Sequence, residues 1–342
     1  MKNLFLILLL LSVFISTQAQ YYLKKDYIEI QQKDEKINSV TYKNLKIIPL
    51  FAGTSFIAAN NDVGKYKTLN EVLGNGKVEI KETGAAGNRQ NSNINSNEPV
   101  QQAENNLSSN SGNVNQLMIR NLTNDTIFIM GGELVQGGKQ DRVVGENFLL
   151  PPGKEFVPLP VFCVEHGRWT YKEDNRSGFN KYNSFTANSV RSKAVKNSDQ
   201  SAVWAQVSEV TTANKADTST GSFNSLYNNE KFMGEMKEYK DYFISALGDM
   251  NGCIGFVGIS GDRVVGCDIF ATTELFKKEF VNLLSAYITE AITENKTPTL
   301  SDSKVNEYLQ SFLIESTEQD KLINEKGKSF EYEGKRLHIA TF

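Results

Sequence analysis

The sequence predicts an α+β protein, with an antiparallel β-rich N-terminal half of sandwich or barrel type followed by a helical region carrying one β-hairpin. Three observations lead there. Short apolar runs at close spacing, separated by turn residues, fill Gln116 to Val164, the signature of an antiparallel sheet. After Trp169 apolar residues recur instead at steps of three and four, the period of a helix with one buried face. Two apolar runs flank Ser260-Gly261-Asp262, which reads as a hairpin.

In chain order, the first residues are Met1-Lys2-Asn3, then an apolar run from Leu4 to Ile15, then Ser16-Thr17-Gln18-Ala19. A basic start, a short apolar run and small residues before a cleavage point make a secretory signal peptide, here cut after Ala19. The run is short of the roughly 20 residues a membrane span needs, and no cysteine follows it to carry a lipid. The mature chain is expected to be periplasmic or extracellular, with no transmembrane segment. Tyr27 to Gln31 and Val40 to Phe51 are strand candidates through their β-branched and aromatic residues, and Lys77 to Lys81 is a shorter one. Gly84 to Asn115 is dominated by Asn, Ser, Gln and Gly. It has too little apolar surface to offset its own ordering entropy and reads as a disordered insertion.

Strands return at Leu117 to Ile119 and Ile127 to Met130 around the polar turn Asn121 to Asp125. Gln140 to Leu150 and Glu155 to Val164 follow, joined by Pro151-Pro152-Gly153-Lys154. Helices are expected from Ser198 as cap through Val203, Trp204, Val207 and Val210; over Phe232, Met236, Tyr239, Phe243 and Leu247; over Phe276, Phe280, Leu283, Leu284, Tyr287 and Ile288; and from Ser301 as cap through Val305, Tyr308, Leu309, Phe312 and Leu313. Strands near Ser329 to Tyr332 and Arg336 to Phe342 close the chain. The division is therefore 1–19 signal peptide, 20–83 N-terminal strands, 84–115 insertion, and 116–342 the remainder. Within that remainder, 116–170 bear the motifs, and 171–342 are mainly helical with the hairpin at 252–269.

Composition excludes several function classes. Of 342 residues 39% are apolar, and the net charge is −3. A core is available, and the strongly basic face of a nucleic-acid binder is not. A local basic stretch runs through Arg168, Lys172, Arg176, Lys181, Arg191, Lys193 and Lys196; it reads as a solvated loop, with attraction of an anionic ligand as the alternative. Only two histidines, His166 and His338, are present, too few for a multi-histidine zinc site. No Cys-x-x-Cys pair and no Gly-x-Ser-x-Gly elbow occurs. Gly137-Gly138-Lys139 matches part of a phosphate loop, but Glu133 replaces its first glycine and Gln140 its Ser or Thr. Ser301-x-x-Lys304 is better explained by a helix cap. Cys253 and Cys267 flank the hairpin, which would bring them close in space; an odd count of three cysteines leaves Cys163 over.

Two segments keep chemistry in reach: Gly131 to Arg142, and Val161 to Trp169. Glu133 and Glu165 are carboxylates suited to acid–base work. Cys163 is a nucleophile only if His166 or an arginine lowers its pKa; the opposing reading is a buried, inert thiol. Lys139, Gln140, Arg142 and Arg168 suit an anion, and Trp169 suits stacking on a ring. The glycine pairs permit close approach of a ligand or a neighbouring strand. The same groups also read as a structural network of ion pairs. No pattern names a cofactor or an oligomeric state, and no metal site is assigned.

The run Gly-Glu-Leu-Val-Gln-Gly-Gly-Lys-Gln-Asp-Arg at Gly132 to Arg142, then Pro152-Gly153, then Cys-Val-Glu-x-Gly-Arg-Trp at Cys163 to Trp169, resembles the ARG-and-Rhodanese-Phosphatase-superfamily-associated protein domain. The segment Gly261 to Phe270 resembles that family's C-terminal half, and the likeness begins near Val40. The matching positions are Glu133, Gln136, Gly138, Lys139, Gln140, Arg142, Cys163, Glu165, Gly167, Arg168 and Trp169; the insertion at Gly84 to Asn115 departs from the pattern. By context, the resemblance implies a link to ADP-ribose or phosphoester metabolism and carries over no catalytic residue. Two functions stand open: an exported binder, or enzyme, for an anionic ring-bearing small molecule such as a nucleotide-sugar or sugar phosphate, and a non-enzymatic secreted or envelope interaction protein whose polar cluster is structural.

Overall fold

A computed structural model of the chain describes residues 23–33, 36–82, 115–167 and 179–342. The expected signal peptide, most of the Asn-rich insertion, and Arg168 and Trp169 lie outside the described residues.

The chain is α+β, and one of its two large sheets draws strands from both ends of the sequence. One antiparallel sheet runs in the order Ile28–Glu29, Leu45–Ala52, Cys253–Ser260, Arg263–Phe270, Lys335–Thr341 and Gly327–Tyr332, with Val40–Tyr42 also pairing to Leu45–Ala52. The N-terminal strands are therefore locked between the late hairpin and the chain's start. The strand Cys253–Ser260 is buried along its whole length, because both faces of this sheet are covered. The helix Thr273–Glu294 packs its Phe276, Phe280, Leu283 and Leu284 on one side. Val305, Leu309, Phe312 and Ile323 cover the other.

The second sheet has the order Phe179–Phe185, Glu133–Gly137, Arg142–Val144, Gly153–Cys163, Gln116–Asn121 and Val78–Glu82. It curls, so that Glu82 on its last strand reaches Lys139 beside its second: Lys139 N donates to Glu82 Oε1 at 3.0 Å. Val78, Ile80, Leu117, Ile119, Val135, Val144, Leu159, Val161 and Phe179 fill the concave face. A small third sheet pairs Phe148–Leu150 with Ile127–Ile129, and Lys67–Thr68 parallel to the latter.

Several elements differ from the sequence reading for identifiable reasons. Phe179–Phe185 is a strand rather than part of the helical half; its Asn-Lys-Tyr-Asn-Ser interior has little apolar periodicity to announce it. Gln140 to Leu150 divides into two strands at Gly145, whose N–H bonds Pro160 O at 2.9 Å. Gln116–Asn121 and Ile127–Ile129 flank the expected turn but join different sheets. Asn121 redirects the chain, its Nδ2 donating to Asp125 O and Leu150 O at 2.8 and 3.0 Å. Asp199, not Ser198, caps the helix Gln200–Ala213, accepting from Ala202 N. Ser301 stands at the N-cap of Asp302–Gln310, but its hydroxyl meets Ser303 rather than a helix N–H.

The two hairpin cysteines are not neighbours. Cys267 pairs with Val257, which puts Cys253 four residues away, about 13 Å at the rise of a strand. Cys253 faces the core under the long helix and Cys267 the opposite core. Cys163, Cys253 and Cys267 are all free and buried.

Candidate functional site

Alternation along the curled sheet decides what lies at its mouth. Residues two apart on a strand share a face, so Val78 and Ile80 lead to Glu82, Val144 leads to Arg142, Val161 to Cys163, and Val135 to Gly137. The ladder confirms the common end: Arg142 opposes Cys163 and Val135, Gly137 opposes Phe179, and Glu82 opposes Leu117. The concave face is apolar along its depth and turns polar at this end.

Arg142 is completely buried there. Its Nη1 donates to Gln140 Oε1 at 3.3 Å and Asp141 O at 3.4 Å. Its other edge, Nε and Nη2, makes no hydrogen bond. Nη2 instead faces Glu82 Oε2 at 3.8 Å, an ion pair beyond hydrogen-bond length. Nε and Nη2 form the side-on fork that matches the two oxygens of a carboxylate or phosphate. Gly138 closes the rim with φ +54°, and a Cβ on it would lie 2.6 Å from both Glu82 Oε1 and the Phe179 ring. Only glycine fits that turn without displacing the groups around Arg142.

Burial pushes the Cys163 thiol up to about 11, with Arg142 pulling the other way. Such a group is a neutral thiol at neutral pH and a poor nucleophile. Its backbone is held by Gln200, whose Oε1 accepts from Cys163 N at 2.8 Å while Nε2 donates to Cys163 O at 2.9 Å. His166 is exposed and meets the Trp204 ring edge-on at 4.3 Å.

Gln140, Asp141 and Glu165 are linked by buried hydrogen bonds below the turn. Gln140 Nε2 donates to Glu165 O at 2.7 Å, and Asp141 N to Glu165 Oε2 at 3.3 Å. Asp141 Oδ1 accepts from Gly137 N at 3.2 Å, and its Oδ2 accepts from Asn224. Glu133 stands apart, at the far end of its strand opposite Phe185. Its Oε2 takes Met130 N at 2.7 Å. The structure thus gathers Lys139, Gln140, Arg142, Cys163 and Glu165 at one end, and leaves Glu133 at the other.

Gly131 and Gly132 serve a different cluster. Gly132 has φ +100°, and a Cβ there would fall 2.5 Å from Arg191 Cγ. Arg191 was expected on a solvated loop; it is fully buried because Asp268 holds it, through Nη1 and Nη2 at 3.1 and 3.0 Å. Tyr287 also donates to Asp268, and His338 Nε2 lies 2.9 Å from it. Burial alone would raise the Asp268 carboxyl, but Arg191 and His338 hold it well below the usual carboxylate range. Burial lowers His338. Asn147 completes the chain, its Nδ2 2.7 Å from His338 Nδ1 and its Oδ1 accepting from Gly131 N at 2.8 Å. This clasp ties the glycine turn of the curled sheet to the central strands of the other sheet.

A cleft of about 350 Å³ lies elsewhere, between Phe56 to Tyr66 and the start of the long helix. Of its two rim cations, Lys278 is taken up by Glu274 and the Tyr66 carbonyl, and Lys65 approaches Glu274. Among the described residues, no helix is long and apolar enough to cross a membrane, and no group of acidic, His and Cys side chains is arranged to hold a metal.

The profile of the ARG and Rhodanese-Phosphatase-superfamily-associated Protein domain, ARPP-1, matches residues 35–341. The chain belongs to the ARPP-1 family. The match covers the second sheet, the first sheet apart from Ile28–Glu29, and the long helix, so the mouth around Arg142 and the Asp268 clasp both belong to the ARPP-1 domain. No curated protein and no solved structure matches the chain.

Sequence reasoning missed Glu82, Gln200 and Asn224 at the mouth, and the whole clasp of Arg191, Asp268, His338 and Asn147. Glu82 had a signal: the alternation Val78, Ile80 carried one step further reaches it.

Proposed function

We propose that the chain is an exported protein that binds an anionic small molecule at the mouth of the curled sheet, with Arg142 as the anion grip. The observation that supports this is the buried side-on edge of Arg142, whose Nε and Nη2 lack hydrogen bonds. A buried guanidinium with unmade bonds costs about 1–3 kcal/mol or more, and a bound oxyanion would remove that cost. The mouth of a barrel-like sheet is a common place for such a ligand. Export rests on the N-terminal sequence, and the ligand class of sugar phosphates and nucleotide-sugars on the pairing of an anion grip with the motif's aromatic and polar residues.

A second reading has its own support. Gln140, Asp141, Glu165 and Asn224 are joined to one another by buried hydrogen bonds, as the members of a structural network would be. In that case the chain is a non-enzymatic interaction protein. A thermal-shift screen with ADP-ribose, nucleoside phosphates and sugar phosphates separates the two. A ligand at about 100 times its dissociation constant adds roughly 2.7 kcal/mol. A shift in the wild type that is absent in Arg142→Lys supports the anion site, because lysine keeps the charge and loses the fork. Silence across the panel, with Arg142→Ala destabilised on its own, supports the structural protein.

A further inference from the structure

We propose that Glu82 is a built-in stand-in for the ligand's oxyanion, which an incoming phosphate must displace; the inference rests on the Arg142 reading above. Its carboxylate spans two donors of the mouth: Oε1 accepts from Lys139 N at 3.0 Å, and Oε2 faces Arg142 Nη2 at 3.8 Å. A phosphate, with more terminal oxygens than a carboxylate, satisfies both donors at once and reaches Nε as well. Glu82 holds the place loosely, since its second contact is too long for a hydrogen bond. Its side chain is 14% exposed while that of Arg142 is fully enclosed, so Glu82 lies on the solvent side of the fork. It stands on Val78–Glu82, the outermost strand in the order of its sheet, and its side chain can turn outward while its backbone keeps the ladder with Leu117.

The arrangement sets the ligand class and its regulation together. The occupant carries a phosphate-like group with at least two free oxygens, because that is what Glu82 imitates. Its binding is competitive with an internal carboxylate, so affinity is lower than the donors alone would give. Release of Glu82 into solvent accompanies binding, and changes the charge presented at the mouth.

The test is an inorganic phosphate titration of the purified chain at constant ionic strength, followed by thermal unfolding, for the wild type, Glu82→Gln, Arg142→Lys and Glu82→Gln/Arg142→Lys. Glu82→Gln should unfold at a lower temperature without phosphate, since Arg142 loses its counter-charge. It should bind phosphate at least about ten-fold more tightly, a change worth 1.4 kcal/mol. Neither variant carrying Arg142→Lys should respond. Equal affinity of the wild type and Glu82→Gln, with both lysine variants silent, overturns the stand-in and leaves the Arg142 site intact. A response that survives in the double variant, or silence in both the wild type and Glu82→Gln, overturns both.

Discussion

Glu279 offers the sharpest test of how this interior is balanced. It lies on the long helix Thr273–Glu294, fully buried, and neither carboxyl oxygen has a hydrogen-bond partner. Burial pushes its carboxyl well above the usual range, and Glu133 and Glu71 push the same way, against a smaller pull from Arg191. The folded protein therefore holds Glu279 protonated where the unfolded chain releases the proton near its ordinary value of about 4.3. A pKa raised on folding gives stability that is fully present below the unfolded value and is lost as pH rises toward the folded one. Replacing the side chain by methionine, similar in length and apolar, removes both the unmade hydrogen bonds and the titration. An unsatisfied buried polar group costs about 1–3 kcal/mol, so Glu279→Met should be more stable by about that amount below the unfolded-state value, and by more at neutral pH. The advantage should grow as pH rises from about 5 to 8, following the linkage sign. Urea unfolding followed by circular dichroism across that range reads the difference between the two proteins. A methionine variant that is less stable throughout, or a difference that does not change with pH, would show that Glu279 has partners and refute the reasoning.

Other expectations follow from the clasp and the thiols. Arg191→Met leaves Asp268 buried with Tyr287 and His338 but without its guanidinium partner, and should cost about 3–5 kcal/mol in denaturant unfolding. Gly132→Ala forces a side chain onto φ +100° and into Arg191, a loss of at least about 1–3 kcal/mol from the backbone alone. Gly234→Ala, in the open middle of the helix Glu230–Leu247, should instead gain about 0.5–1 kcal/mol. Burial pushes the Cys163 and Cys253 thiols up to about 11 and Cys267 well above its ordinary value. A thiol reagent at neutral pH should therefore leave all three unmodified in the native protein and titrate all three once it is unfolded.

Local pattern carried the fold further than the site. The helices were legible because Phe276, Phe280, Leu283 and Leu284 repeat at the helical period, and the hairpin because Ser260-Gly261-Asp262 interrupts two apolar runs. The strand Phe179–Phe185 was not, since its polar interior takes its conformation from pairing with Glu133–Gly137. Burial of Arg191 could not be read either: its partner Asp268 is 77 residues away, and only the packed fold brings them together. The cysteines failed for a simpler reason. A hairpin fixes which strands pair, but register and face decide whether two side chains meet, and here both set Cys253 and Cys267 apart. At the mouth, the motif around Arg142 was visible in sequence, whereas Glu82 lay one step beyond the strand assigned to it.

The central claim is that the Nε–Nη2 edge of Arg142 receives an oxyanion. Crystals of the protein soaked in tungstate, a heavy phosphate analogue, test it most directly through anomalous scattering. The account predicts a peak within hydrogen-bond distance of Arg142 Nε and Nη2, with Glu82 turned away from the fork. Tungstate bound only at surface lysines, with Glu82 drawn into hydrogen bonds with Arg142, would contradict it.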